Sequence, residues 1–180
     1  IMIKKICCLG DSITNGARNE AFRNYVLELN YLKKNDNYIF FNHSVNGETS
    51  GEIINRGIAL FNKFKFDGVI FLGGTNDSKV PISRKIYEKN LIVLIHTCKK
   101  LSLKLIICTI PKIYSGLPFY SQKTGNKFIN QYNLCIKNLC KKYKLKIVEL
   151  NSMTESYFPD GIHTNNDGCE LIAKKINNVL

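Results

Sequence analysis

The sequence predicts an α/β fold: a three-layer α/β/α arrangement around one parallel sheet of five strands in the order 2-1-3-4-5. Two observations carry that prediction. Short apolar runs alternate regularly with longer stretches of helical periodicity. The runs themselves are apolar at successive positions, the pattern of strands covered on both faces. Crossovers between such strands are expected to be right-handed, and the order is flavodoxin-like. The 180 residues are expected to form one domain, 1–180, with no linker or repeat.

Ile3 to Leu9, interrupted by Lys4 and Lys5, reads as the first strand. Ala21 to Lys34 reads as a helix, with Phe22, Tyr25, Val26, Leu29 and Leu32 on one face. Tyr38 to Val45 is the second strand, and Ser50 to Lys65 a helix burying Ile53, Ile54, Ile58 and Phe61. Asp67 to Leu72 is the third strand. Pro81 suits the first turn of a long helix whose buried face is Ile86, Leu91, Leu94, Ile95, Cys98 and Leu101. His96 lies beside that face and is read as a surface or packing residue. Lys104 to Ile110 is the fourth strand, followed by a loop from Lys112 to Gly125 that carries Tyr114, Phe119 and Tyr120. Asn126 to Lys142 is an amphipathic helix, Leu145 to Leu150 the fifth strand, and Asn165 to Leu180 the last helix.

The composition is that of a globular protein, 44% hydrophobic and 22% charged. No apolar run is long enough to cross a bilayer. No secretory signal is legible, since only a strand-length apolar stretch follows Lys4 and Lys5, although Ile1 before Met2 leaves a removed upstream segment open. The seven cysteines are odd in number and lack Cys-x-x-Cys spacing. They read as reduced, core-filling thiols in a cytoplasmic protein, without disulfides or a metal site.

The net charge of +12 raises the question of a polyanionic partner. However, the basic residues come in pairs at the ends of the expected helices: Lys33-Lys34, Lys99-Lys100, Lys141-Lys142 and Lys174-Lys175. Cations there complement the helix macrodipole. With no recognition motif and no basic-aromatic platform, nucleic-acid binding is not expected.

In a parallel α/β sheet, ligand chemistry gathers at the carboxyl ends of the strands. Four groups of residues arrive there. Gly10-Asp11-Ser12 follows strand one, Asn46-Gly47-Glu48 follows strand two, Gly73-Gly74-Thr75-Asn76-Asp77 follows strand three, and Asp160-Gly161-Ile162-His163 precedes the last helix. Each has an ordinary structural explanation as turn or cap chemistry. Their chemistry is nevertheless complementary. A Ser12 hydroxyl needs a base to become nucleophilic. His163 is a suitable base, and Asp160, three residues earlier, can fix its tautomer. The Ser12 and Gly47 backbone N–H groups and the Asn76 side-chain amide are three candidate donors to an oxyanion. Glycine at 47 is read as clearing room for close approach.

On these motifs the chain resembles the SGNH hydrolases, the GDSL-type esterases, over nearly its whole length. Gly10-Asp11-Ser12-Ile13 is similar to the family's first motif, with Ile in place of Leu. Gly47 fits the second, Gly74-Thr75-Asn76-Asp77 the third and Asp160-Gly161-Ile162-His163 the last. The resemblance implies the flavodoxin-like fold, a Ser12–His163–Asp160 triad, an oxyanion hole of Ser12, Gly47 and Asn76, and no metal or organic cofactor. Thr164 departs from the Pro that follows the His in many relatives, and it is expected to cap the last helix. Asp11 and Asp77 are expected to be loop-ordering hydrogen-bond acceptors.

The implied reaction is hydrolysis of a small acyl ester, acetyl being favoured, on a small molecule or carbohydrate. Lysophospholipase or thioesterase chemistry, and acyl transfer with the same triad, stay open. A phosphate-binding module is disfavoured by an acidic first loop poor in glycine. A catalytically silent interaction protein has no need to keep both Ser12 and His163. The oligomeric state is not legible.

Overall fold

The computed structural model describes residues 2–19, 23–115 and 121–180. Its elements run β1 (Lys4–Gly10), α1 (Ser12–Asn15), α2 (Tyr25–Leu32), β2 (Tyr38–Ser44), α3 (Ser50–Lys63), β3 (Gly68–Leu72), α4 (Thr75–Lys79) and α5 (Arg84–Lys100). They continue with β4 (Lys104–Cys108), α6 (Gln122–Tyr143), β5 (Lys146–Val148), a 3₁₀ turn at Glu155–Tyr157 and α7 (Asn166–Asn177). The sheet order is β2-β1-β3-β4-β5, parallel throughout, as expected.

Alternation along the strands divides the core in two. Cys7 and Leu9 of β1, Val69 and Phe71 of β3, and Leu105 and Ile107 of β4 face the layer formed by α3, α5 and α6. Ile6, Cys8, Ile70, Leu72, Ile106 and Cys108 face α2 and α7. Strands buried on both faces therefore need apolar residues in unbroken runs. The two edge strands are the exceptions: in β2 only Phe40 is buried, while Ile39 and Phe41 are exposed, and in β5 only Val148 is buried.

Several boundaries differ from the sequence reading for identifiable reasons. Asn24 is extended, and its side chain accepts from the Leu27 N–H, so α2 starts at Tyr25. Ala21 and Phe22 lie outside the described residues. Leu32 is exposed, and buried Glu28, paired with Arg23, shares the inner face instead. Ser83 rather than Pro81 opens α5, its Oγ accepting from the Ile86 N–H. The buried face then includes Tyr87, while Ile86 and Leu101 are exposed. Tyr87 can be buried because its hydroxyl donates to the Gly73 carbonyl (2.8 Å) and its ring stacks on Tyr132. Ser121 caps α6, which makes Gln122 to Gly125 helical rather than loop. His96 is a surface residue beside Tyr143, as read.

β4 and β5 are shorter than expected because side chains replace the ladder. The Thr109 hydroxyl accepts from the N–H groups of Leu150 (2.7 Å) and Asn151 (3.1 Å). The Asn133 amide of α6 does the same for Ile110, accepting from its N–H (2.7 Å) and donating to its C=O (2.9 Å). The basic pairs sit where the macrodipole favours them, in the last turns of α5, α6 and α7 and just past α2. All seven cysteines are buried thiols. No described helix is long and apolar enough to cross a membrane.

Asn133→Leu removes both partners of a buried backbone group while keeping the side chain's bulk. It is expected to lower unfolding free energy by about 2 kcal/mol in urea titration, with the circular dichroism spectrum unchanged. An unchanged midpoint would show that Ile110 finds other partners.

Candidate active site

Ser12 opens α1 directly after β1. Asp11 caps that helix, its Oδ1 accepting from the Ile13 N–H (3.0 Å), so the first turn is tied to the residue before the serine. Gly10 is required by space: a Cβ there would collide with the Thr14 hydroxyl and come within 2.7 Å of the Leu72 carbonyl. Ser12 itself is largely covered, at 7% exposure.

His163 reaches Ser12 from the other end of the chain. Its Nε2 lies 3.0 Å from Ser12 Oγ, and its Nδ1 lies 2.7 Å from Asp160 Oδ2. A proton on Nδ1, donated to the carboxylate, leaves the Nε2 lone pair facing the serine hydroxyl. Asp160 is fixed in turn by the Ile162 (2.9 Å) and His163 (2.7 Å) backbone N–H groups, which both donate to Oδ1. Partial burial pulls the Asp160 carboxyl up. The hydrogen bonds from the His163 backbone, the His163 ring and the Ile162 backbone outweigh it and hold the group at about 2. Asp160 is thus a carboxylate across the neutral range.

Asn76 lies on α4, and its Nδ2 donates to the Glu48 carbonyl (2.9 Å), tying the loop after β3 to the loop after β2. One amide hydrogen is committed to that tie, and the other is available. Gly47 takes a left-handed conformation, φ +83°, and a Cβ there would meet nothing within 4 Å. Glycine at 47 therefore has a conformational reason, the left-handed backbone, and the space beside it is open on the protein side. The Ser12 N–H lies in the first turn of α1, where no helical acceptor exists.

Asp11 and Asp77 are acceptors, as expected. Asp77 receives the Ser50 N–H (2.7 Å) and hydroxyl (2.5 Å), joining the start of α3 to α4. Asn90 of α5 completes the link by donating to Ser50 Oγ. Thr164 does not cap the last helix. Asn165 does, accepting from the Gly168 N–H (2.9 Å), while Thr164 is buried against Cys169. Tyr114 is used by the scaffold, its ring against Phe158 and its hydroxyl on the Met153 carbonyl. Phe119 and Tyr120 lie outside the described residues.

Arg56 was not among the residues nominated from sequence. Its guanidinium chelates the Glu48 carboxylate (2.6 Å and 3.0 Å) and donates to the His43 carbonyl (3.0 Å) and the Gly10 carbonyl (3.3 Å). One helical side chain thereby gathers the ends of β1 and β2 and the loop holding Gly47. A cavity of about 270 Å³ opens beside His163, lined by Arg18, Asn19, Pro159, Asp160 and Thr164 to Asn166. A larger cavity of about 730 Å³ lies at the opposite edge of the sheet and touches none of the nominated residues. Among the described residues no group of three or more His, Cys, Asp or Glu could hold a metal.

A family model described as the GDSL-like lipase/acylhydrolase family matches residues 8–171. The chain belongs to this family. Solved GDSL-type structures share its fold. A lipase/acylhydrolase from Enterococcus faecalis is 23% identical with a TM-score of 0.80, covering 98% of this chain and 94% of that one. The psychrotrophic esterase EstA from Pseudoalteromonas sp., in a form inhibited by monoethylphosphonate, is 17% identical with a TM-score of 0.80, covering 98% and 96%. An acetyl xylan esterase, AlAXEase, is 20% identical with a TM-score of 0.81, covering 98% and 99%. A search of curated proteins finds no match. As a member of the GDSL-like acylhydrolases, the protein is a hydrolase by family.

Asp11 gives a test of the site's electrostatics. It is fully buried, and its Oδ2 has no hydrogen-bond partner among the described residues. Burial pushes its carboxyl up to about 7, against the lowering effects of the Ile13 N–H and Lys79. The folded state therefore holds this proton more tightly than the unfolded chain. Its contribution to stability falls as pH rises from about 4 through 7. Asp11→Asn keeps the cap and removes the ionisation. Relative to wild type, the variant should gain stability by a few kcal/mol between pH 4 and pH 8, read from urea titrations at each pH. A constant difference across that range would show that Asp11 is not the titrating group.

Proposed function

We propose that residues 1–180 form one serine esterase domain, in which Ser12, His163 and Asp160 act as a catalytic triad. The observation that carries this reading is the His163 ring, within hydrogen-bond reach of Ser12 Oγ on one side and Asp160 on the other. Ser12 Oγ attacks the ester carbonyl while His163 Nε2 takes its proton. His163 then gives that proton to the departing alcohol, leaving an acyl-Ser12 ester. Water, deprotonated by the same nitrogen, releases the acid and restores the serine. Asp160 remains ionised throughout and steadies the imidazolium that forms at each step. The Ser12 and Gly47 N–H groups and the free Asn76 amide hydrogen donate to the oxyanion.

The preferred substrate is a small acyl ester, acetyl above all, on a polar alcohol such as a carbohydrate. The cavity beside His163 supports a polar alcohol, since Pro159 is its one apolar side chain. A neighbouring fold acts as an acetyl xylan esterase by its description, which is consistent with the same chemistry.

Ser12→Ala is expected to reduce hydrolysis of 4-nitrophenyl acetate by at least about 10³-fold in a folded protein. A 4-nitrophenyl alkylphosphonate should transfer its phosphonyl group to the Ser12 peptide of wild type, releasing 4-nitrophenol, and to no peptide of the variant. Wild-type turnover by Ser12→Ala would overturn the assignment. Across 4-nitrophenyl esters from acetate to dodecanoate, kcat/KM should fall with chain length. A rise toward dodecanoate would favour the lysophospholipase or thioesterase alternative.

A further inference from the structure

Arg18 stands at the rim of the site with most of its hydrogen-bonding capacity unspent. Its Nη1 lies 3.1 Å from Asp160 Oδ2, the oxygen that also faces His163 Nδ1. A guanidinium has five N–H donors, and no second partner of this one is found among the described residues. The side chain is 64% exposed and lines the cavity beside His163.

Its backbone is as specific as its head group. Arg18 is a non-glycine residue at φ +59°, in the left-handed region. The turn that holds it there is bonded to the nucleophile's own carbonyl: the Gly16 and Ala17 N–H groups both donate to Ser12 O, and Asn19 N–H donates to Gly16 O. A single, exposed ion-pair contact contributes little to folding. Such a contact is a weak reason to hold an arginine in an unfavourable backbone region, whereas a recognition role is a sufficient one.

We propose that Arg18 is a specificity residue that binds an anionic oxyacid group, carboxylate or phosphate, on the alcohol half of the ester. This rests on the esterase reading above. The side of the serine follows from the chemistry. His163 hands its proton to the leaving alcohol, so that half of the substrate lies against His163, which is where the cavity and Arg18 are. One corner of the guanidinium is anchored on Asp160, and the remaining donors match the planar fork of a carboxylate or the oxygens of a phosphate. Asp160 brings a negative charge to the same cavity. Its Oδ1 is occupied by two backbone N–H groups, and its Oδ2 lies between His163 and Arg18. The arriving anion therefore meets the cation first. The chain's net charge of +12 favours approach of anions from solution.

The test reads binding separately from turnover. In Ser12→Ala protein, dissociation constants are measured by calorimetry for 3-acetoxybenzoate, 3-acetoxyphenyl phosphate and their neutral counterpart 3-acetoxybenzamide. The expected result is at least about 10-fold tighter binding of one or both anionic esters, weakening with salt. Adding Arg18→Gln should bring all three to similar affinity, and Arg18→Lys should keep part of the preference. Preference for the carboxylate alone or the phosphate alone names the group recognised. Equal binding of the three esters to Ser12→Ala protein, or a preference that survives Arg18→Gln, overturns the proposal. A parallel fall in all affinities, with their ratio kept, overturns it too, because that is what a merely structural contact with Asp160 would produce. Failure of the esterase reading itself is seen elsewhere, in wild-type protein that does not hydrolyse 3-acetoxybenzamide.

Discussion

Everything at the site depends on the parallel register of β1 with its two neighbours. Gly10, the last residue of β1, pairs level with Ser44 of β2 and Leu72 of β3. The three chains therefore leave the sheet side by side, and whatever follows each strand is delivered to one edge. Parallel pairing also forces a covering helix between strands. The same constraint that exposes the loops seals the faces beneath them with two apolar layers. Ser12 can be nearly buried, and still have His163 beside it, because α7 packs next to α2 over the β1 side of that sheet.

Register alone brings the loops to one edge without fixing their positions there. Polar contacts do the fixing, some within a loop, as at Asp11 and Asp160, and others between loops. Arg56 ties β1, β2 and Glu48; Asn76 ties α4 to Glu48; Asp77 ties α4 to Ser50 and, through it, to Asn90 of α5. Such contacts contribute modestly when made and cost more when a partner is lost inside the protein. Loosening any one of them shifts a proposed oxyanion donor relative to the serine, and reaction geometry tolerates little displacement.

How legible each part was in the sequence follows from the range of the interactions involved. The strand order could be read because alternation of period is a local pattern that burial on two faces imposes on every strand. Ser12, His163, Asp160, Gly47 and Asn76 could be nominated because each chemistry demands a residue type at a strand end. Their meeting at hydrogen-bond distance for Ser12, His163 and Asp160 is a property of the fold. Strand ends were misplaced at Ile110 and Leu150 because Asn133 and Thr109, distant in sequence, take over the ladder's donors. Tyr87 was passed over for Ile86 because hydropathy does not register that a tyrosine hydroxyl has a carbonyl waiting for it. Arg56 gave no signal at all. An arginine in a helix looks like solvent-facing charge, and sequence does not show that its partners are a carboxylate in the preceding loop and two backbone carbonyls at strand ends.

The buried thiols have a consequence for how the molecule meets electrophiles. Burial pushes the Cys7, Cys98 and Cys135 thiols up to about 12 and Cys140 to about 11, and raises the Cys8, Cys108 and Cys169 thiols as well. A thiol reacts through its thiolate, so near neutrality all seven are shielded twice, by packing and by protonation. The intrinsically softest nucleophiles in the chain are thereby its least reactive ones. The proposed Ser12 nucleophile, ordinarily the weaker competitor, then meets little rivalry from the cysteines. Thiol-directed electrophiles should find an unusually quiet background in the folded protein near neutral pH.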